Sequence, residues 1–445
     1  MNLLRDDPKK LFLHYWSAAF GSTFISCVYS MVDTAMVGQY HGPDGAAALA
    51  VVAPFWSLIF SLGLMTGVGG AVLYGTEKGR GSGRQNEYFT TALLLAILFA
   101  ALAWTALLLF DAPLLRAFGG DDALLPLAQS YLRPIKCIFP LFLFNQLFAA
   151  FLRNDGRPRL ATLAVLVGGV FNVFGDWFFV FALDLGAEGA GIATAGGTAL
   201  TFLIVSSHFF SRRCTLRLAR PAAVLRKLWQ VVQNGFSSFM VDLALGALAI
   251  LFNRQIVRYF GNDALAVYSV LLSVGTFTQC CAYSVGMAMQ PIASLNYGAE
   301  QGKRVVSVLR CALWTAAGFG VLWLLIAMSA PNLLARIFMQ PTEAVLDIAP
   351  GITRIYGLSF LLLPLNVSST FYFQAILRPR TAFVISLGRG AVLSCALILL
   401  LPLLIGGVGL WWAMPLTEAI TTVYVVLELR RSVSALHEME EAHGK

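Results

Sequence analysis

The chain has 445 residues, of which 58% are hydrophobic and only 12% charged, with a formal net charge of +8. A water-soluble domain carries about twice that share of charge, so the composition excludes an ordinary soluble protein and points to lipid as the main solvent. The basic residues are scattered over short segments, which excludes a nucleic-acid patch.

Spanning a bilayer takes about 20 apolar residues, and the chain offers twelve such runs. The opening "MNLLRDDPKK" is charged, and the run behind it is too long for a signal peptide. The first span, 12–38, contains Asp33. The second and third cover 46–74 and 88–110. The fourth, 123–152, carries Arg133 and Asn145. The fifth, 158–182, places Asn172 and Asp176 four residues apart, on one helical face. The sixth, 188–210, has Thr194 in its first turns. A basic stretch follows, and then the seventh span, 227–257, with Asp242. The eighth to twelfth cover 264–297, 305–329, 343–377, 381–401 and 407–429. The tenth holds Arg354, Asn366, Ser368, Ser369 and Gln374.

Two patterns test this count. With the N-terminus placed inside, the inside segments collect most of the 31 Lys and Arg, among them Lys9, Lys10, Lys78, Arg84, Arg153, Arg157, Arg212, Arg213, Lys303, Arg310, Arg378 and Arg430. The outside loops hold Asp44, Asp111, Asp122, Asp184 and Glu188. This is the positive-inside distribution. The chain also repeats. "YGTEKG" (74–79) returns as "YGAEQG" (297–302), and "YLRPIKCIFPLFLFN" (131–145) parallels "ITRIYGLSFLLLPLN" (352–366), pairing Arg133 with Arg354 and Asn145 with Asn366. Six spans per copy is an even number, so both copies enter from the same side as parallel repeats. The expected fold is an all-α polytopic membrane protein. It has twelve transmembrane helices in two six-helix lobes, related by a pseudo-two-fold axis along the membrane normal. The lobes cover 1–210 and 227–445, the latter with a short cytoplasmic tail, and a cytoplasmic basic linker, 211–226, joins them.

A charge near the bilayer centre costs about 2.5 kcal/mol or more, so each one needs a reason. Asp33, Asn172, Asp176 and Thr194 fall at similar outer depth on three helices of one lobe. Two carboxylates, an amide and a hydroxyl suit a hard cation; two close acids also suit a shared proton. The ligand set alone leaves sodium and proton both open. Asp242 reads either as a contact for a positively charged substrate or as a proton carrier. Asn145, Asn366 and Gln374 are expected at a substrate cavity. Arg133 and Arg354 read as snorkelling to headgroups or as structural pairs. There is no Walker A sequence, no Ser/His/Asp set and no Cys/His metal spacing; the seven cysteines read as reduced apolar filler. ATP, cofactors and enzymatic catalysis are therefore not expected.

"VDTAMVGQYHGPDGAAALA" in the first span resembles the multidrug and toxic compound extrusion (MATE) transporters. So do the doubled "YGxExG" turns, "LRNDGRPR" and "LRPR" after spans four and ten, and "GAEGAGIATA" at the sixth. The resemblance covers essentially the whole chain and is strongest to the bacterial subgroup that includes the staphylococcal multidrug exporter. It implies a monomeric antiporter of the bacterial inner membrane with both termini cytoplasmic. Such a protein exports organic cations and other amphipathic small molecules against sodium ions or protons. In the branch with an N-lobe ion site, the motif residues fall on Asp33, Asn172, Asp176 and Thr194. The C-lobe acids of another branch have no counterpart in 354–374. The rivals are a flippase of the same superfamily for a lipid-linked precursor, which would need a more basic cleft, and a non-transporting receptor or scaffold, against which the paired lobes with buried acids speak.

Overall fold

A computed structural model describes residues 2–120, 122–338 and 341–443. Inside its helices, the side chains of 30, 43, 46, 242, 243, 245–247, 262 and 440–443 lie outside that description. Asp242 is one of these, so the expectation placed on its side chain falls outside the described residues.

The described chain is helical nearly throughout. It runs α1 (Pro8–His41), α2 (Pro43–Gly79), α3 (Gln85–Ala117), α4 (Leu125–Lys136), α5 (Phe139–Asn154), α6 (Pro158–Asp176) and α7 (Gly186–Ser206). Then come α8 (Val224–Tyr259), α9 (Asn262–Gly298), α10 (Gly302–Ser329), the short α11 (Pro331–Phe338), α12 (Glu343–Ala375), α13 (Pro379–Leu387), α14 (Leu393–Ile405) and α15 (Gly409–His443). Single π-helical turns continue α6 over Trp177–Ala182 and join α13 to α14 over Gly388–Val392.

Among the described residues ten helices or fused helices are long and apolar enough to cross a membrane, and the bent pair α4–α5 makes eleven. The expected seventh span is α8, 36 residues long, several of whose side chains lie outside the described set. Leu109, Phe174, Trp314 and Leu404 each stand more than half exposed. Large apolar side chains turned outward along whole helices are what a lipid-facing surface requires.

The fourth span is not one rod. α4 and α5 meet at 57° across Cys137–Ile138. Pro134 withdraws a backbone N–H near the end of α4, and Pro140 opens α5, where a missing N–H costs nothing. Aligned on Arg133 and Arg354, the same positions in the second copy are Ile355 and Leu361, and there the counterpart α12 runs unbroken.

The chain forms two compact units. Unit 1 comprises Met1–Asn2 and Ser17–Phe239, and unit 2 comprises Leu3–Trp16 and Met240–Lys445. In unit 1, α2 packs on α3 and α5, and α7 packs on α6 and α4. α6 and α7 approach backbone to backbone. A Cβ on Gly168 would lie 2.6 Å from the Gly197 carbonyl, so only glycine fits there. In unit 2, α12 packs against α9, α10 and α15. Phe252 stacks on Tyr268 at 4.7 Å, with Tyr356 and Trp411 closing the same core.

The basic stretch 211–226 is strapped onto unit 1. The backbone N–H groups of Arg217, Ala219 and Ala222 donate to Asn86, Thr90 and Glu87 in the first turns of α3. Glu87 also pairs with Lys227. Beside this strap, Asp155, in the turn after α5, accepts from His208 Nε2 at 2.7 Å, from the Thr215 N–H at 3.0 Å, from the Thr215 hydroxyl and from Lys78 Nζ at 3.2 Å.

Candidate functional site

The polar residues picked out in the first, fifth and sixth spans converge in unit 1. Asp33 lies about two turns before the end of α1, Asp176 closes α6, and Thr194 sits about two turns into α7. Four apolar-rich helices thereby bring their polar atoms to one level. The Tyr131 hydroxyl on α4 donates to Asp33 Oδ2 at 2.7 Å. The Thr194 hydroxyl reaches the same phenol and accepts from Asn172 Nδ2 at 3.1 Å. Asp176 is 0% exposed, and its carboxyl is close enough to that of Asp33 for the two to repel.

The oxygens this cluster leaves over define its chemistry. Asp33 Oδ1, Asn172 Oδ1 and both oxygens of Asp176 are buried with no hydrogen-bond partner among the described residues. A buried acceptor without a donor costs about 1–3 kcal/mol, more when charged. These four acceptors belong to one buried polar cluster that is short of positive charge. A proton or a small hard cation supplies what it lacks.

Tyr131 was not among the residues singled out from the sequence. A tyrosine near the end of an apolar run reads as an interface anchor, and only the bend between α4 and α5 shows α4 as a separate short helix leaning on α7.

The other named residues make bonds of their own. Asn145 Nδ2 donates to the Thr198 carbonyl at 3.1 Å, tying α5 to α7. Asn366 and Gln374 are in unit 2 and fully buried. Asn366 Nδ2 donates to the Glu418 carbonyl and to Glu418 Oε2, at 3.0 and 2.7 Å, and Gln374 accepts from Gln290 at 3.3 Å. The repeat is visible in these bonds, since Asn145 and Asn366 each anchor the last helix of their copy. Unit 2 also holds an ion pair that the span-by-span reading overlooked. Arg389 Nε lies 2.5 Å from Glu418 Oε1, with both side chains buried. In-span charge is thus not solely acidic. Arg389 stands near where unit 1 has Gly168, so the two copies close equivalent helix pairs differently. One uses glycine contact and the other an ion pair.

Comparison with known proteins agrees with this architecture. The MatE family model matches the chain twice, over residues 18–178 and 238–400. The chain is similar to the multidrug export protein MepA of Staphylococcus aureus (strain N315), at 19% identity over 423 residues, covering 94% of this chain and 92% of that protein. The MepA of Staphylococcus saprophyticus is equally distant, at 19% over 418 residues, covering 93% and 92%. Among solved structures, the outward-facing conformation of a multidrug resistance MATE family transporter superposes with a TM-score of 0.90 at 20% identity, over 98% of both chains. A MATE in the bent conformation gives 0.89 at 20%, over 99% and 98%. The doubled match, one to each copy of the internal repeat, shows that the chain belongs to the MatE family, a family of multi-pass membrane transporters and not of enzymes.

Proposed function

We propose that this protein is a secondary multidrug efflux antiporter that exports organic cations and other amphipathic compounds in exchange for sodium ions or protons. Its similarity to MepA, a multidrug export protein, supports export of drugs, and the observation that carries the coupling is the set of unpartnered oxygens on Asp33, Asn172 and Asp176. Asp33 and Asp176 are the primary cation-binding groups. Asn172 and Thr194 complete the ligand set, and Tyr131 holds Asp33 in position. Bound ion or proton relieves the repulsion between the two carboxyls and favours one packing of α1 against α4, α6 and α7. Without it, the other packing is favoured and a cationic drug is held. Ion and drug need not share atoms; each has to differ in affinity between the two states. The gradient, not ATP, supplies the energy. The protein works as a monomer in the bacterial cytoplasmic membrane with both termini in the cytoplasm.

The test is efflux of ethidium from liposomes containing the purified protein, driven separately by a sodium gradient and by a pH gradient. One of the two should drive efflux, and Asp176→Asn should abolish it. Folded protein that moves no cation under either gradient would sink this reading.

A further inference from the structure

At the end of unit 2 where α1 and α10 begin, the structure forms an open cavity of about 550 Å³ between α1, α10 and the last turns of α15. Its chemistry is graded along the helices. Lys9, Lys303, Arg310 and His437 line it toward the helix starts, and all four are exposed. Further along the same helices the wall is Leu13 and Trp314, 56% and 76% exposed. Trp314 lies twelve residues into α10, about 18 Å from its start at 1.5 Å per residue, well inside the apolar part of the span. Among the described residues no acidic side chain lines the cavity. Asp7 accepts from the Lys9 backbone N–H at 3.0 Å, and its charge also reaches Cys311 in the cavity wall.

We propose that this cavity binds one anionic phospholipid. The phosphate sits between Lys9 and Arg310, and an acyl chain lies along Leu13 and Trp314. Basic pockets between membrane helices recognise anionic headgroups in this way, while the Arg stem spans the apolar boundary. The gradient of the site selects the occupant. A free phosphate would use the cations and leave the apolar wall bare, and a zwitterionic lipid would bring a positive charge into a cluster of positive charges. Because the site takes residues from both α1 and α10, a bound lipid clamps the beginning of the helix whose far end carries Asp33.

Tryptophan quenching tests this in vesicles of phosphatidylcholine doped with lipids brominated on their acyl chains. The signal is the emission of Trp314, read as wild type minus Trp314→Phe. Brominated phosphatidylglycerol should quench it at a lower mole fraction than brominated phosphatidylcholine. Lys9→Gln with Arg310→Gln, both exposed positions, should reduce that preference by about fivefold per cation removed. Equal quenching by the two lipids, or a preference that survives the double substitution, would overturn the proposal. Relief of quenching by added inorganic phosphate would also overturn it, by showing a free-anion site. An association between copies of the chain would appear as quenching that depends on protein density and not on headgroup, and would count against it too.

Discussion

Asp176 carries the heaviest electrostatic burden in unit 1, being fully buried with neither oxygen bonded among the described residues. Asp176→Asn keeps its shape and removes its charge. Ion-dependent efflux should fall to background while the protein still purifies as a folded species, measured by liposome efflux beside size-exclusion chromatography. Tyr131→Phe is a milder test. It leaves Asp33 Oδ2 without the 2.7 Å donor, and a hydrogen bond to a charged group is worth about 1.5–3 kcal/mol. Apparent affinity for the coupling ion should therefore shift by about tenfold or more, with the maximal rate less affected; an unchanged ion dependence would remove Tyr131 from the site. At this scale the sequence was readable where a residue conflicts with its neighbours. Asp33 and Asp176 stand out because a carboxylate in an apolar run has no local excuse. Tyr131 conflicts with nothing. Arg389 and Glu418 do conflict with their surroundings, but their cancellation is a pairing between two helices, which a span-by-span reading does not expose.

Helix pairs show what each element contributes. Asn172 and Thr194 face each other across the contact that Gly168 and Gly197 make close. Gly168→Ala inserts a methyl where the Gly197 carbonyl stands, at a cost of about 1–3 kcal/mol. The protein should still fold, but with α6 and α7 pushed apart the ion dependence of efflux should weaken. Retention of wild-type coupling would show that the close approach is not needed. In unit 2, Arg389→Met leaves Glu418 buried without its cation, which costs about 3–5 kcal/mol. Adding Glu418→Gln should restore most of the lost melting temperature in detergent, and no recovery would mean that the pair is not what holds these helices. Asp155 gives a pH dependence. Burial pushes its carboxyl up, but bonds from His208 and Thr215 and the Lys78 ammonium outweigh burial and hold it below the usual carboxylate range. A depressed folded-state value means that its stabilisation is complete above the unfolded-state value, about 3.9, and is lost as pH falls through the folded-state value. The acid-side loss of thermal stability should therefore be shallower in Asp155→Asn, which would start from a lower stability at neutral pH. Parallel acid limbs would contradict this. The bend between α4 and α5 was foreseeable from Pro134 and Pro140, yet the run 123–152 was apolar enough to pass as one helix. Hydropathy measures the solvent, and the direction of the axis is set by which backbone N–H groups are missing.

For the whole molecule, the internal repeat was the most informative signal. It predicted two copies of one helical plan, and the doubled family match and the paired Asn145 and Asn366 anchors bear that out. The repeat says nothing of where the copies part ways. Unit 1 breaks its fourth span and gathers unpartnered oxygens, while unit 2 keeps that span whole and, among its described residues, pairs buried Arg389 with Glu418. The basic stretch 211–226 shows the same limit, since its charges marked it as a connection between the repeats but not the backbone donors that strap it to α3. On this reading the cluster in unit 1 binds the ion that opposes the drug. Binding affinities in linked sites are reciprocal, so the most direct measurement is the affinity of purified protein for tetraphenylphosphonium, titrated against sodium concentration at fixed pH and against pH without sodium. Affinity should fall as one of the two cations rises, and in Asp176→Asn it should become independent of both. Competition that persists unchanged in Asp176→Asn would place the coupling ion elsewhere and contradict the account.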